Sequence, residues 1–309
     1  MQLEGIHHIT AITGDAPRNV DFYARVLGLR MVKKTVNQDD PTIYHLFYAD
    51  EHGDPGSDLT FFEYPGAVPG RPGAGMIHRI IWRVGSDEAI DFWEKRLGGE
   101  GVATERHDGR LRFKDPEGLE HELAVVDTSD EPLIAEHAEV PHEMALQGFH
   151  GVRAYSADPE ASRRLLEETL GFKSNDDGWE VRGDQRGSLF AYDPPPAEPG
   201  IQSGGSVHHV AFATQTDEQE AWHDRLRQNG VRATPIIDRF WFRSIYFREP
   251  SGVLFELATM GPGFATDEDM EHLGERLTLP PDYERYRERL EETLTPLPDV
   301  RQWRPSRVS

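Results

Sequence analysis

The sequence has no cysteine. That excludes disulfides, zinc–thiolate centres, iron–sulfur clusters and thiol nucleophiles together, and leaves His, Asp and Glu as its strong metal ligands. Lysine is almost as scarce: Lys33, Lys34, Lys95, Lys114 and Lys173 stand among many arginines. The formal net charge is -22. So acidic a chain lacks the basic surface that a nucleic-acid partner requires, and its carboxylates suit a protein dissolved in a salty cytoplasm. No apolar run approaches the ~18 residues of a membrane span. The first residues do not have the form of a signal peptide, so a cytoplasmic location with no membrane partner is expected.

What the sequence does have is a repeated histidine pair. GIHHITAIT, from Gly5 to Thr13, returns as GSVHHVAFAT, from Gly205 to Thr214. Each is an alternating apolar run that reads as a strand. In a straight strand neighbouring side chains face opposite sides, so one histidine of each pair is expected to look into a cavity.

The first histidine position recurs at His7, His78, His150 and His208, each followed by an amphipathic helix pattern. Those helices are expected to stop at Gly28, Gly98, Gly171 and Gly230, at distances of 21, 20, 21 and 22 residues. Strand-like runs follow each helix. They are LRMVKKTV, TIYHLFYA and DLTFFEYP in the first unit, and RLRFKDP and LEHELAVV in the second. The third shows SLFAYDP and a segment around Trp179–Val181, and the fourth VRATPII, FWFRSIYFREP and VLFELAT.

The fold class is therefore α+β, four tandem βαβββ modules, with a pair in residues 1–126 and a pair in 146–260. Modules 1 and 4 are predicted to pair around a site, and modules 2 and 3 with each other. Residues 261–309 form a tail with one helix around Asp282–Leu294, expected to pack over the modules and to carry no chemistry.

Only units one and four keep a potential ligand after the first histidine: His8 and His209, where units two and three have Arg79 and Gly151. The last strand of unit four ends in FEL with Glu256, that of unit two in HEL with Glu122, and that of unit one in FFE with Glu63. If units one and four face each other, His8, His209 and Glu256 meet, with Glu63 a candidate fourth ligand. Two imidazoles and a carboxylate with the other positions open form the facial triad of non-haem iron(II) enzymes.

At these residues the chain resembles the vicinal oxygen chelate (VOC) superfamily, and within it the PcpA/MhqO-like ring-cleaving dioxygenases that act on hydroquinones. The resemblance runs through GIHHITAITGDAPRNVDFYARVLGLRMVKK, SVHHVAFAT, DRFWFRSIYFREPSGVLFELAT and GFATDEDMEHLGERLTLP. It implies Fe(II), with Mn or Zn in some preparations, held by His8, His209 and Glu256. It places His7, Thr10, His208, Arg239 and Tyr246 in or beside the active site, and implies a small aromatic diol and O2 as partners. Glu63 departs from the pattern of that group. If it joined the site, the set His8, Glu63, His209, Glu256 would resemble glyoxalase I, a lyase. A metal-free binding protein of the resistance type is the third reading. Oligomeric state stays open.

Overall fold

A computed structural model describes residues 1–305. Its sixteen strands fall into four groups of four. Module 1 holds β1 (Ile6–Thr13), β2 (Arg30–Val36), β3 (Tyr44–Ala49) and β4 (Asp58–Glu63). Module 2 holds β5 (Ile77–Val84), β6 (Thr104–His107), β7 (Arg110–Lys114) and β8 (Glu120–Val125). Module 3 holds β9 (Phe149–Tyr155), β10 (Lys173–Asn175), β11 (Gly178–Arg182) and β12 (Gly187–Asp193). Module 4 holds β13 (Ser206–Thr214), β14 (Ile237–Asp238), β15 (Arg243–Arg248) and β16 (Leu254–Thr259). One eight-stranded sheet joins modules 4 and 1 in the order β14-β15-β16-β13-β1-β4-β3-β2, and a second joins modules 3 and 2 as β10-β11-β12-β9-β5-β8-β7-β6. Each module pair meets through its first strands, β1 against β13 and β5 against β9, both antiparallel.

The crossover helix in each module follows from its local sequence. In α1 (Ala16–Val20) the Asp15 carboxylate accepts from the Arg18 N–H and proline sits in the first turn. The helix runs on as a π-helical stretch, Asp21–Val26, and Val20, Tyr23 and Leu27 are buried as the apolar spacing requires. In α2 (Asp87–Gly99) Ser86 caps the start, and Ile90, Trp93 and Leu97 turn inward. Module 3 repeats the first pattern, with α3 (Glu160–Arg164) passing into a π stretch, Leu165–Thr169. In α4 (Gln219–Gln228) Trp222 and Leu226 face the core. Gly28, Gly171 and Gly230 take left-handed φ of 71°, 79° and 77° after their helices, as expected. Gly98 does not stop α2. The helix continues through Gly99, and Gly101, at φ 74°, takes the left-handed position. The run VRATPII is strand only at its end, as the two residues of β14.

A chain of three buried polar contacts links the first helix to the second sheet. The Tyr23 hydroxyl donates to Asp115 at 2.9 Å and lies 3.0 Å from His121 Nε2, while the Trp82 indole N–H donates to His121 Nδ1 at 3.1 Å. All four groups are buried. One proton arrangement satisfies the chain: His121 is neutral, accepts at Nδ1, and donates from Nε2 to the tyrosine oxygen. Burial supports it, holding the His121 pKa down to about 3 and pushing Asp115 up to about 6. Tyr23→Phe removes one oxygen and leaves two buried polar groups unpaired, which costs about 1–3 kcal/mol per group. Urea unfolding with an unchanged m-value is the measurement. A loss below about 0.5 kcal/mol would show the network to be dispensable.

The tail crosses the open face of modules 1 and 4. Leu277 bridges Lys34, Tyr283 donates to the Gln38 carbonyl at 2.6 Å, and Thr295 donates to Glu63 at 2.9 Å. The predicted helix is a 3-10 turn, Pro281–Tyr286, followed by α5 (Arg287–Thr293). Beneath the tail lies Lys33, with no exposed surface. Its ammonium donates to the Phe264 carbonyl at 3.1 Å, to Asp267 at 2.9 Å and to Glu268, and sits 5.1 Å from the Trp241 ring. Trp241 in turn donates to Asp267 at 2.9 Å. The expectation that the tail packs over the modules is met at Lys33, and through Trp241 the tail also reaches the site described next.

Candidate metal centre

The register between first strands slips wherever the repeated histidine occurs. Across β1 and β13, Ile6 pairs Phe212 while His8 pairs Ala211, so His7 is an extra residue; Thr10 pairs His209 while Ala11 pairs Val207, so His208 is another. Across β5 and β9 the same slips leave out His78 and His150. All four first histidines are therefore β-bulge residues. A bulge tilts the extra side chain and its neighbour out of strict alternation. The strict alternation by which one histidine of each pair alone would face the cavity is therefore broken: His7 Nδ1 lies 3.0 Å from His8 Nδ1, and His208 Nδ1 lies 2.8 Å from His209 Nδ1.

These contacts set the protons. His7 Nε2 lies 3.1 Å from the Thr259 carbonyl, which can only accept, so that nitrogen carries the hydrogen. Burial, with His8 beside it, pushes the His7 pKa down to about 3, so the ring is neutral and its Nδ1 is an acceptor. His8 therefore donates from Nδ1, which leaves its Nε2 to face the cluster. His208 is likewise neutral, pushed down to about 3 by burial and His209, and its contact with His209 can be made the same way.

Both Nε2 atoms face Glu256. His8 Nε2 is 3.2 Å and His209 Nε2 is 3.0 Å from Glu256 Oε2, and the two nitrogens are 3.3 Å apart. Burial alone raises the Glu256 pKa, but His8 and His209 outweigh it and hold the carboxyl well below its ordinary range. Both carboxylate oxygens are buried without a hydrogen bond of good geometry. Two imidazoles and a carboxylate converging in the buried interior are the donor set of a divalent cation. Among the described residues this is the one such group of three, and the residues present fit a metal.

The remaining predicted residues divide. Thr10 pairs His209 across the strands. Tyr246 pairs Glu256, with its ring 5.7 Å from that of His209. Burial and then Glu256 push the tyrosine pKa up, with Arg239 pulling against them. Arg239 lies over that ring at 5.6 Å and forms a two-pronged pair with Asp39 at 3.1 and 2.8 Å. Glu63 is not brought to the cluster. It accepts from the Ala16 N–H at 3.2 Å and from Thr295, at the start of α1. The register gives the reason. Glu256 pairs Ala211, two residues after His209, and the matching partner of Thr10, two after His8, is Thr60. Glu63 lies three residues further and on the opposite face.

The same rule applied to modules 2 and 3 selects Arg79, Gly151 and Glu122. There Glu122 is bound by Arg110 and Arg112, each at 2.7 Å, and by Arg79 at 3.2 Å. A side chain at Gly151 would bring its Cβ to 2.2 Å from the Leu189 carbonyl oxygen. The second sheet has filled the equivalent place with an internal ion cluster.

A cavity of about 30 Å³ opens on the ligands and is lined by His8, His209, His45, Arg239, Trp241, Phe242 and Tyr246, among others. A separate cavity of about 150 Å³ reaches His208 and His209 near Arg248. A larger cleft, about 850 Å³, lies elsewhere, between α1 and β7, and among the described residues no converging ligand set lies in it. His45, Trp241 and Phe242 were not anticipated. Period-two alternation in TIYHLFYA does place His45 on one face with Phe47, which is the signal that could have found it.

A family model for the Glyoxalase/Bleomycin resistance protein/Dioxygenase superfamily matches residues 5–123 and 148–257. MhqO of Bacillus subtilis (strain 168), named "Putative ring-cleaving dioxygenase", is 41% identical over 94% of this chain and 96% of its own. The chlorohydroquinone/hydroquinone 1,2-dioxygenase of Sphingobium indicum is 32% identical over 95% and 96%. The crystal structure of a "putative dioxygenase" from Bacillus subtilis superposes with a TM-score of 0.89 at 39% identity, covering 96% of this chain and 98% of that one. Glyoxalase I from Zea mays, at 15% identity and a TM-score of 0.58 over 88% and 96%, shares the fold alone. The chain belongs to the glyoxalase/bleomycin resistance protein/dioxygenase superfamily, alongside MhqO and its ring-cleaving relatives.

Proposed function

We propose that the protein is an Fe(II)-dependent dioxygenase that opens the ring of a hydroquinone-type aromatic diol, with His8, His209 and Glu256 as the metal ligands. The observation that carries this reading is the convergence of two imidazoles and one buried carboxylate, whose oxygens lack a hydrogen bond of good geometry, at the edge of an aromatic-lined cavity. An iron(II) ion held by His8, His209 and Glu256 would supply the redox chemistry that amino-acid side chains lack. The protein's own part is electrostatic and geometric. His7 and His208 fix the tautomers of the ligand histidines. Tyr246 presents a hydroxyl beside the ligands, suited to a phenolic oxygen whose charge changes during reaction, Arg239 places its charge over that ring while it holds Asp39, and Thr10 lies against His209.

The glyoxalase I-like alternative needs a second carboxylate opposite Glu256. Thr60 occupies that register position, which removes the specific support for it. Names of relatives bear on the substrate class through the hydroquinone enzyme of Sphingobium indicum. No described helix is long and apolar enough to cross a membrane, and we place the reaction in the cytoplasm.

The test is oxygen consumption by anaerobically Fe(II)-loaded protein given methylhydroquinone. One O2 consumed per diol lost is expected, with uptake absent in His209→Ala. Intact iron binding without uptake on any hydroquinone overturns the reading.

A further inference from the structure

His45 stands midway along β3 at the cavity wall, its ring 4.0 Å from that of Phe47 and 4.4 Å from that of Phe62. Its Nε2 lies 2.8 Å from Thr60 Oγ1, and the Thr60 hydroxyl donates to Thr10 Oγ1, also at 2.8 Å. A hydroxyl has one hydrogen. Thr60 has given its own to Thr10, so it can only accept from His45, and Nε2 carries the ring proton. Burial among the ligand histidines keeps the imidazole neutral, its pKa well below the ordinary value. A neutral ring protonated at Nε2 has its lone pair at Nδ1. No donor among the described residues reaches that atom.

Several neighbouring polar groups on the cavity wall are engaged. Arg239 holds Asp39 with both terminal nitrogens, the Gln38 amide N–H donates to the Arg239 carbonyl, Asn37 Oδ1 accepts from the Asp39 N–H, and the Trp241 N–H is held by Asp267. His45 Nδ1 is an acceptor without a partner among the described residues, with its tautomer locked.

We propose that His45 accepts a hydrogen bond from the second hydroxyl of the diol, the one remote from the ligand triad, and so selects diols over monophenols. The assignment rests on the dioxygenase reading for the substrate class and on the His45–Thr60–Thr10 geometry for the role. Thr60 is then a positioning residue. It stands where the half-turn-related module carries Glu256, and it uses that place to orient an imidazole instead of binding a cation.

The experiment is calorimetric binding of methylhydroquinone and of 3-methylphenol, which lacks one hydroxyl, to Fe(II)-loaded protein without O2. The wild type is expected to prefer the diol by about 10–100-fold, the effect of leaving one buried acceptor unpaired. In His45→Phe the preference falls to within about threefold. His45→Asn, whose Oδ1 replaces Nδ1 as acceptor, restores part of it, and Thr60→Val, which unlocks the tautomer while His45 remains, gives an intermediate value. If His45→Phe fails to fold, the Asn and Val variants decide. A wild type that binds both phenols alike, or variants that keep its full preference, overturn the proposal. Oxygen uptake by the same wild-type sample separates the two readings. A His45-dependent preference without uptake sinks the dioxygenase and keeps the site, whereas uptake with an unchanged preference in the variants sinks His45 alone.

Discussion

Glu256→Gln protein, loaded anaerobically with Fe(II) and then dialysed, is expected to retain no stoichiometric iron and to lose at least about 10³-fold in turnover, the factor that ~4 kcal/mol of lost interaction yields. Glutamine keeps the shape of the side chain, so the packing around β16 is undisturbed. It removes the one negative charge of the donor set, and its amide hydrogens can turn toward the Nε2 atoms of His8 and His209, which sit 3.2 and 3.0 Å from Oε2. In the metal-free protein the same substitution is expected to lower the melting temperature at neutral pH, because a carboxyl whose pKa the fold depresses contributes stability while it is ionised. That contribution fades as pH falls through the depressed pKa, so the two proteins converge in acid. Metal analysis and a thermal melt measure the two halves separately. Iron retained at wild-type stoichiometry would remove Glu256 from the ligand set.

The second large effect lies at Lys33. Lys33→Met is expected to cost about 3–5 kcal/mol, because it leaves the buried Glu268 carboxylate without its cation. For a chain of this size that corresponds to a fall of roughly 6–15 °C in melting temperature. Burial already pushes the Glu268 pKa up, with Lys33 pulling it back. With the ammonium gone, either a proton is taken up or the tail segment lifts away. Trp241 loses its cation and, through Asp267, the anchor of its indole N–H. The double variant Lys33→Met/Glu268→Leu removes both charges and is expected to recover most of the loss. If the single variant melts within about 2 °C of wild type, the tail is not fastened here.

Much of this was legible in the sequence because the repeats could be laid over one another. Four histidine-to-glycine spacings predicted four modules, and the retained second histidines singled out units one and four. What could not be read was register. FEL and FFE look equivalent as strand ends, yet hydrogen bonding matches Glu256 with Thr60 and leaves Glu63 to cap α1. Alternation argued that one histidine of each pair alone faces the cavity, and it failed because a bulge has no sequence signature of its own. Lys33 with Glu268, and His45 with Thr60, were hidden for different reasons. The first pair is 235 residues apart. The second is close in sequence, but its meaning depends on Thr10 across a parallel strand pair.

The four bulges also determine which changes this architecture can survive in evolution. Each is one amino acid by which a strand exceeds its partner, and the ligand side chains face inward by virtue of that excess. For the strand alone, identity at a bulge is negotiable: His78 can be exchanged and the strand still has its surplus residue. Length is not. Deleting His7 slides the rest of β1 by one position and turns its inward side chains outward. Lineages descended from this chain are therefore free to drift in composition at the bulges of the second sheet, but not in the number of residues along any of these four strands.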